Sequence, residues 1–431
     1  FLTGVLRYDG SSRFGVGNKW ALFPAVSASW RISEESFMRD RMFSDLRLRA
    51  GFGLQGNPAV PPYASLITLG PGGNYVFGEQ PVTGISPTRN PNPDLKWEET
   101  SQFNVAIDYG FSENRYTGTI EYYVKNTSDL LLEVPVPQPA LVSTRLENIG
   151  QTRNHGVELA FNAQVLSGAR LSWLAGLVFA AERGEVVDLG GRTLIQTALA
   201  SGQGQSSTWT QRILPGEPLG TFYGPVFTRV SGETLIVATD TNWTAGQQLF
   251  SCSTASATCV NGETRQPSSD DYTIIGNANP DFTLGLHSQV NAGNFDLSFL
   301  VRGEVGQDVF NNTALVYATK GAVLQGRNFL SSALDDGVGI DEPAIYSSRW
   351  VEDGSFVRLQ NVTLGYRFAL PQFAMENARA YVSFDNLLLL TGYSGYDPEV
   401  HTAAGGLAVR GIDYLNYTRP RTITTGISFG F

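Results

Sequence analysis

The chain has 431 residues, with 30 Lys plus Arg against 40 Asp plus Glu, a formal net charge of −10 and a charged fraction of 16%, where a soluble domain commonly carries about 25%. Its 47 Gly, 25 Phe, 17 Tyr and 7 Trp accompany an apolar fraction of only 42%, so turns and rings are plentiful without long greasy segments. The acidic balance excludes a general nucleic-acid binder, and the recurrent aromatic and β-branched residues exclude disorder. A helical membrane protein is excluded too, because the longest aliphatic run is Leu387–Leu390, far short of roughly 18 residues.

The recurring signal is alternation with period two, which puts every second side chain on one face of a strand. Phe1 opens inside such a run with no leader-like segment before it, so the sequence reads as a piece of a longer chain. Next, Phe103, Val105, Ile107, Tyr109 and Phe111 alternate with Gln102, Asn104, Ala106 and Asp108. Tyr116, Gly118, Ile120, Tyr122 and Val124 then oppose Thr117, Thr119, Glu121 and Lys125. The pattern predicts further strands over Val157–Leu166, Leu171–Ala181, Phe295–Val301 and Phe356–Phe368, and a last one with Ile423, Thr425, Ile427, Phe429 and Phe431 on one face. About twelve strands result.

Short connections at Ser112–Asn114, Ser167–Ala169 and Ala292–Gly293, and moderate ones at Ser33–Ser44 and Ala369–Asn377, alternate with long ones. The long ones are Asp9–Ala21, Gly56–Thr100, Asn126–Thr152, Gly184–Asp281, Gly303–Gly354 and Thr391–Arg421. If consecutive strands are antiparallel neighbours, short turns gather at one end and long loops at the other, as in a transmembrane β-barrel. Alternation alone fits a soluble β-sandwich equally well. The strand lengths decide for the barrel, since sandwich strands average about five to six residues and spanning strands about nine to eleven. Rings near strand ends, such as Trp30, Tyr109, Phe111, Tyr122, Tyr123, Tyr366 and Phe368, fit interfacial girdles, with ordinary core as the alternative. Arg47, Arg49, Asn104, Asp108, Asn361 and Arg367 are expected on a hydrated inner wall, so Ile107→Arg should block membrane assembly and Asp108→Arg should not.

Catalytic and metal chemistry finds little support. His155, His287 and His401 lie far apart, and no nucleophile elbow, phosphate loop or dinucleotide motif occurs. Cys252 and Cys259, with six residues between them and no His nearby, favour a local disulfide over a metal site, which implies an oxidising compartment. The acidic loop of Asp335, Asp336, Asp341 and Glu342 fits no EF-hand spacing and reads as a solvated loop, with Ca²⁺ binding as the alternative; Asp240, Asp270 and Asp271 read alike. Trp209, Tyr223, Trp243, Tyr393, Tyr396, Tyr414 and Tyr417 fall in long loops, where rings can stack on sugar faces or peptide side chains or simply pack the loops. Tyr393, Tyr396 and Trp243 are the substrate-binding candidates.

Several stretches carry a family resemblance. They are Asp9–Gly15, Phe23-Pro24 and Trp30-Arg31, then Asn92–Glu98, then Asn154, Gly156 and Glu158, then Gly216–Gly220 with Phe222–Gly224. Further on come Ile275–Asn277 with Asn279-Pro280, Ser355–Leu359, Asn361–Tyr366, Gly395–Glu399 and Pro420–Thr422. In this order they resemble the C-terminal half of the SusC/RagA family of TonB-dependent outer-membrane transporters. The resemblance implies an all-β, antiparallel barrel of roughly 22 strands with a plugged lumen, of which residues 1–431 would supply about the last twelve. Plug, TonB box and the first strands would lie outside the chain. It further implies a bacterial outer-membrane location and import of oligosaccharides or peptides without a cofactor. The implied partners are TonB, a SusD-like surface lipoprotein, membrane lipid and the outer-membrane assembly machinery, for which Phe431 would be the terminal signal. A siderophore or cobalamin receptor lacking the lipoprotein, and a secreted β-rich adhesin, are the rival readings.

Overall fold

In a computed structural model of the chain, all residues are described except 39–41, 138, 141, 203–204, 233–242, 254–258, 371–374, 401–408 and 431. Phe431, Asp240 and His401 therefore lie outside the described residues. A 12-stranded antiparallel sheet dominates, its strands ordered as they occur in the chain. The first six are β1 (Leu2–Gly10), β2 (Trp20–Arg31), β3 (Phe43–Asn57), β4 (Glu98–Phe111), β5 (Tyr116–Ser128) and β6 (Gln151–Ser167). The others are β7 (Leu171–Asp188), β8 (Phe282–Ala292), β9 (Phe295–Val305), β10 (Phe356–Leu370), β11 (Met375–Thr391) and β12 (Thr422–Gly430). Most exceed the nine or so residues a spanning strand requires. The chain divides into two compact units: residues 1–161, 182–195 and 214–216, and residues 162–181, 196–213 and 217–431.

Register fixes the two faces of the sheet. In the first unit Trp30↔Leu48, Leu48↔Ile107 and Ile107↔Ile120 are cross-strand partners, as are Phe52↔Phe103 and Phe103↔Val124. Directly opposed residues share a face, so these apolar side chains form one continuous outward surface, while Arg49, Asn104, Asp108, Thr119 and Glu121 occupy the other. In the second unit Leu177↔Leu286, Leu286↔Val301, Leu297↔Leu364 and Leu364↔Val382 build the outward surface. On that surface the Trp173 indole N–H donates to Ser288 Oγ at 2.9 Å, so these two polar groups satisfy each other without water.

Rings mark the edges of this apolar band. At the short-turn end of the first unit Tyr109, Phe111, Tyr116 and Phe161 stack in sequence at centroid separations of 6.3, 5.1 and 6.5 Å. The turn between Phe111 and Tyr116 is left-handed at Glu113 and Asn114 and is closed by the Arg115 N–H donating to the Ser112 carbonyl at 3.1 Å, the backbone a tight hairpin demands. Phe295, Tyr366 and Phe368 repeat the row in the second unit. At the long-loop end Tyr8 stacks on Trp20 at 5.1 Å.

The long connections are not bare loops, contrary to the alternation pattern alone. Residues 58–97 contain a hairpin, Thr68–Phe77 paired with Gln80–Arg89, and residues 129–150 contain another, Leu131–Pro135 with Thr144–Asn148. In the first unit Phe14, Phe23, Val60, Ala64, Leu95 and Trp97 bury one another. In the second, the three longest connections together form a packed core around Phe222, Phe310, Leu315, Tyr346, Trp350 and Ile412. Short strands there escape a period-two search because four residues span only two alternations.

Candidate functional site: a charged inner wall and its loops

The inner face of the first unit carries a connected polar ladder. Arg49 Nε and Nη2 donate to Asp108 at 2.7 and 3.0 Å, and the Thr119 hydroxyl donates to the same carboxylate at 2.9 Å. Glu121 lies 3.7 Å from Arg49 and accepts from Asn104 Nδ2 at 3.0 Å. Such fork-to-fork pairs fix both side chains, so the wall presents ordered charge instead of loose side chains.

A second ladder lines the inner face of the other unit. Asp296 accepts from Arg379 Nε and Nη2 at 3.0 and 2.6 Å, with Arg367 at 3.4 Å. Gly365 makes room for it, because a Cβ there would stand 2.6 Å from both Asp296 Oδ2 and Arg379 Nε. Asn361 Nδ2 donates to Ser383 Oγ at 2.9 Å and to Asp385 at 2.6 Å. Near the loop end, Arg358 is 1% exposed and pairs with Asp397 at 2.6 Å and Glu399 at 2.9 Å. Glu399 also takes Arg302 and, at 3.0 Å, Arg419. The register slips between Leu359 and Asn361, and Asn386 opposite has φ 55°. This bulge re-aims the side chains around it: Gln360 accepts from Arg302 at 3.1 Å, and Asn386 accepts from Arg358.

The loop residues singled out as ligand candidates are dispersed. Tyr393 is 5% exposed, and its hydroxyl donates to Asp413 Oδ2 at 2.7 Å. Burial, reinforced by the Asp413 carboxylate, pushes that hydroxyl's pKa far above the usual tyrosine value. Trp243 is buried as well, whereas Tyr396 is 83% exposed. Among the described residues, no ring contact joins these three. Arg212 lies over the half-buried Tyr223 at 3.9 Å, while Tyr417 stands fully in solvent. Cys252 and Cys259 are joined by a disulfide, and Asp271 accepts from the adjoining Ser253 N–H at 2.9 Å. That bond holds the Asp271 carboxyl below its ordinary pKa against the effect of burial.

The acidic loop is corrected by the structure. Asp335 and Asp341 are exposed, but Asp336 is enclosed, with Lys320 Nζ at 2.9 Å and Arg349 Nη2 at 2.8 Å. Burial alone would raise its pKa; the two cations and the Val338 N–H hold it below the usual range. It is a charge hub fastening three segments of the loop core. No group of three or more His, Cys, Asp or Glu suited to a metal ion occurs among the described residues.

The family described as TonB dependent receptor-like, beta-barrel matches residues 2–387. The chain belongs to that family. It is 31% identical over its whole length to TonB-dependent receptor P3 of Formosa agariphila and 29% identical to TonB-dependent receptor SusC of Bacteroides thetaiotaomicron, covering 44% and 42% of those proteins. It thus spans less than half the length of these curated relatives. Among solved structures, the RagAB peptide transporter superposes on the whole chain with a TM-score of 0.82 at 25% identity, this chain covering 46% of that one. Its sheet is therefore receptor-barrel wall of the SusC type, belonging to the outer membrane.

In this receptor barrel the family-like stretches converge on loop bases. Phe14 and Phe23 pack on Trp97 at 4.9 and 5.5 Å. Asn279 Nδ2 donates to the Leu219 carbonyl at 2.5 Å, and the Asn277 N–H donates to Asp308 at 2.8 Å. Arg358, from Ser355–Leu359, meets Asp397 and Glu399, from Gly395–Glu399. Sequence reasoning missed the roles of Arg302, Asn386 and Arg419 in that last cluster. Pairing partners 20 to 97 residues away leave no local signature.

Proposed function

We propose that this chain supplies wall and extracellular loops to a TonB-energised importer of oligosaccharides or peptides that works with a SusD-like surface lipoprotein. The plug and the TonB contact belong to the remainder of the parent polypeptide. What carries the reading is the superposition of the entire chain on the RagAB peptide transporter, supported by the polar inner ladders, which suit a hydrated passage and a lumen filled by a plug. The proposal assigns transport and no catalytic role. Tyr396, with an open ring, is the loop-borne recognition residue; Tyr393 and Trp243 act from beneath by holding the loops in place. Phe431 is assigned as the assembly signal.

The test is uptake of labelled glycans and peptides by a deletion strain with and without the full-length gene. Restoration of uptake of one class, abolished when TonB is removed, is expected. Complementation that proceeds equally without TonB would refute the reading.

A further inference from the structure

The outward face of the first unit changes character toward the long-loop end. Along β4 and β5, Phe103↔Val124 gives way to Ser101↔Asn126 and then Glu99↔Ser128. The β6 residues Gln151 and Arg153 share that level, and these residues with Leu54, Thr127, Thr152 and Val187 line a depression of about 320 Å³. Arg153 is tied to its neighbours, its Nε donating to Asn126 Oδ1 at 3.1 Å and its Nη1 reaching Glu185 at 3.3 Å. Among the described residues, the Glu99 carboxylate and the Gln151 amide have no partner. Just toward the membrane centre stand Phe103, Tyr122 and Val157, all exposed.

We infer that this depression holds the sugar headgroup of an outer-leaflet glycolipid, with the acyl chains lying on the apolar stripe beside it. Three observations converge on that chemistry. Apart from Leu54, Val187 and Arg153, the lining is amides, hydroxyls and a free carboxylate, groups that exchange hydrogen bonds with hydroxyls in both directions. The one cation is already neutralised by Glu185, which disfavours a site for a bare anion. The polar lining passes directly into exposed hydrocarbon, so its complement is an amphiphile whose polar part is rich in hydroxyls. The long loops of such barrels are extracellular, which places this level in the outer leaflet. The site faces away from the inner wall and is independent of what the barrel carries.

The full-length protein is embedded in nanodiscs of phosphatidylethanolamine alone or with purified outer-membrane glycolipid, and bound lipid is read by native mass spectrometry. The glycolipid adduct should be retained, and the paired substitution Asn126→Ala with Gln151→Ala should weaken it about tenfold while leaving folding and uptake intact. Those two side chains are exposed, so their loss does not open a core. Equal retention by the variant, equal retention of phosphatidylethanolamine, or binding of the free headgroup sugar as tight as that of the glycolipid would each overturn the assignment.

Discussion

Replacing Ile107 with Arg tests the assignment of faces most directly. Ile107 lies four residues from Phe111, the end of β4, or about 13 Å along the strand at roughly 3.3 Å per residue. A tilt of about 40° reduces this to about 10 Å along the membrane normal, close to the middle of an apolar band about 25 Å tall. A guanidinium there should cost about 2–4 kcal/mol. The neighbouring inner-face change gives the contrast. Asp108→Asn removes the Arg49 ion pair from a half-exposed wall, worth about 0.5–1 kcal/mol. Asp108→Arg is a poor control, although alternation alone makes it tolerable, because it would set a guanidinium against Arg49 where a carboxylate now accepts two of its hydrogen bonds. The assay is urea-dependent folding of the full-length protein into lipid vesicles, alongside outer-membrane yield. A separation of about 2 kcal/mol is roughly 30-fold in the folded-to-unfolded ratio. If Ile107→Arg assembled as well as Asp108→Asn, the outward face would have been assigned wrongly.

Three further perturbations probe the loops. Arg358→Met leaves Asp397 and Glu399 without their enclosed partner and should destabilise this junction by about 3 kcal/mol; accelerated amide exchange across residues 392–400 is the readout, and unchanged exchange counts against the cluster. Tyr393→Phe deletes the bond to Asp413 and should cost about 1–3 kcal/mol, because a buried acceptor loses its donor; proteolysis of the loop core reports it, with outer-membrane yield unaffected. Asp336→Asn tests a charge hub through pH. The folded carboxyl has a depressed pKa, so its contribution is complete above the ordinary aspartate value of about 3.9 and is lost as pH falls through the lower folded value. Wild type should therefore resist proteolysis better than the variant at pH 7, and the two should converge once pH has fallen below the depressed folded value. A gap that persisted at low pH would show that charge is not what fastens the loop.

The wall was legible in the sequence because one physical constraint repeats along it: a residue facing hydrocarbon every second position. Val157, Leu159 and Phe161 obey it as plainly as Phe295, Leu297 and Phe299, and the predicted strands fall within β6 and β9. Their lengths were underestimated, since β6 extends from Gln151 and β7 to Asp188, where the outward residues Arg153 and Glu185 are polar and break the pattern. The slip at Gln360 was invisible for a related reason. A bulge shifts the phase of alternation without changing composition. The loops yielded least. Residues such as Phe310 and Tyr346 are buried by partners distant in the chain, and nothing periodic announces that.

The same contrast bears on what the family-like stretches encode. Trp97, Asn279 and Arg358 each sit where a loop meets its strand, and each is spent on internal contacts: a ring packed on Phe14 and Phe23, an amide given to the Leu219 carbonyl, a guanidinium enclosed by Asp397 and Glu399. A side chain so engaged has little left to offer a ligand, because satisfying one would strand its present partner. On the proposed import function, such internally engaged residues hold the loop bases, and recognition of cargo falls to open positions at the tips. Tyr396 shows the division within a single motif. Its neighbour Asp397 is locked against Arg358, while its own ring is 83% exposed. Specificity in this barrel should accordingly follow substitutions at such open positions, and grafting loop tips between relatives while keeping Arg358, Asp397 and Glu399 should transfer substrate preference without loss of assembly.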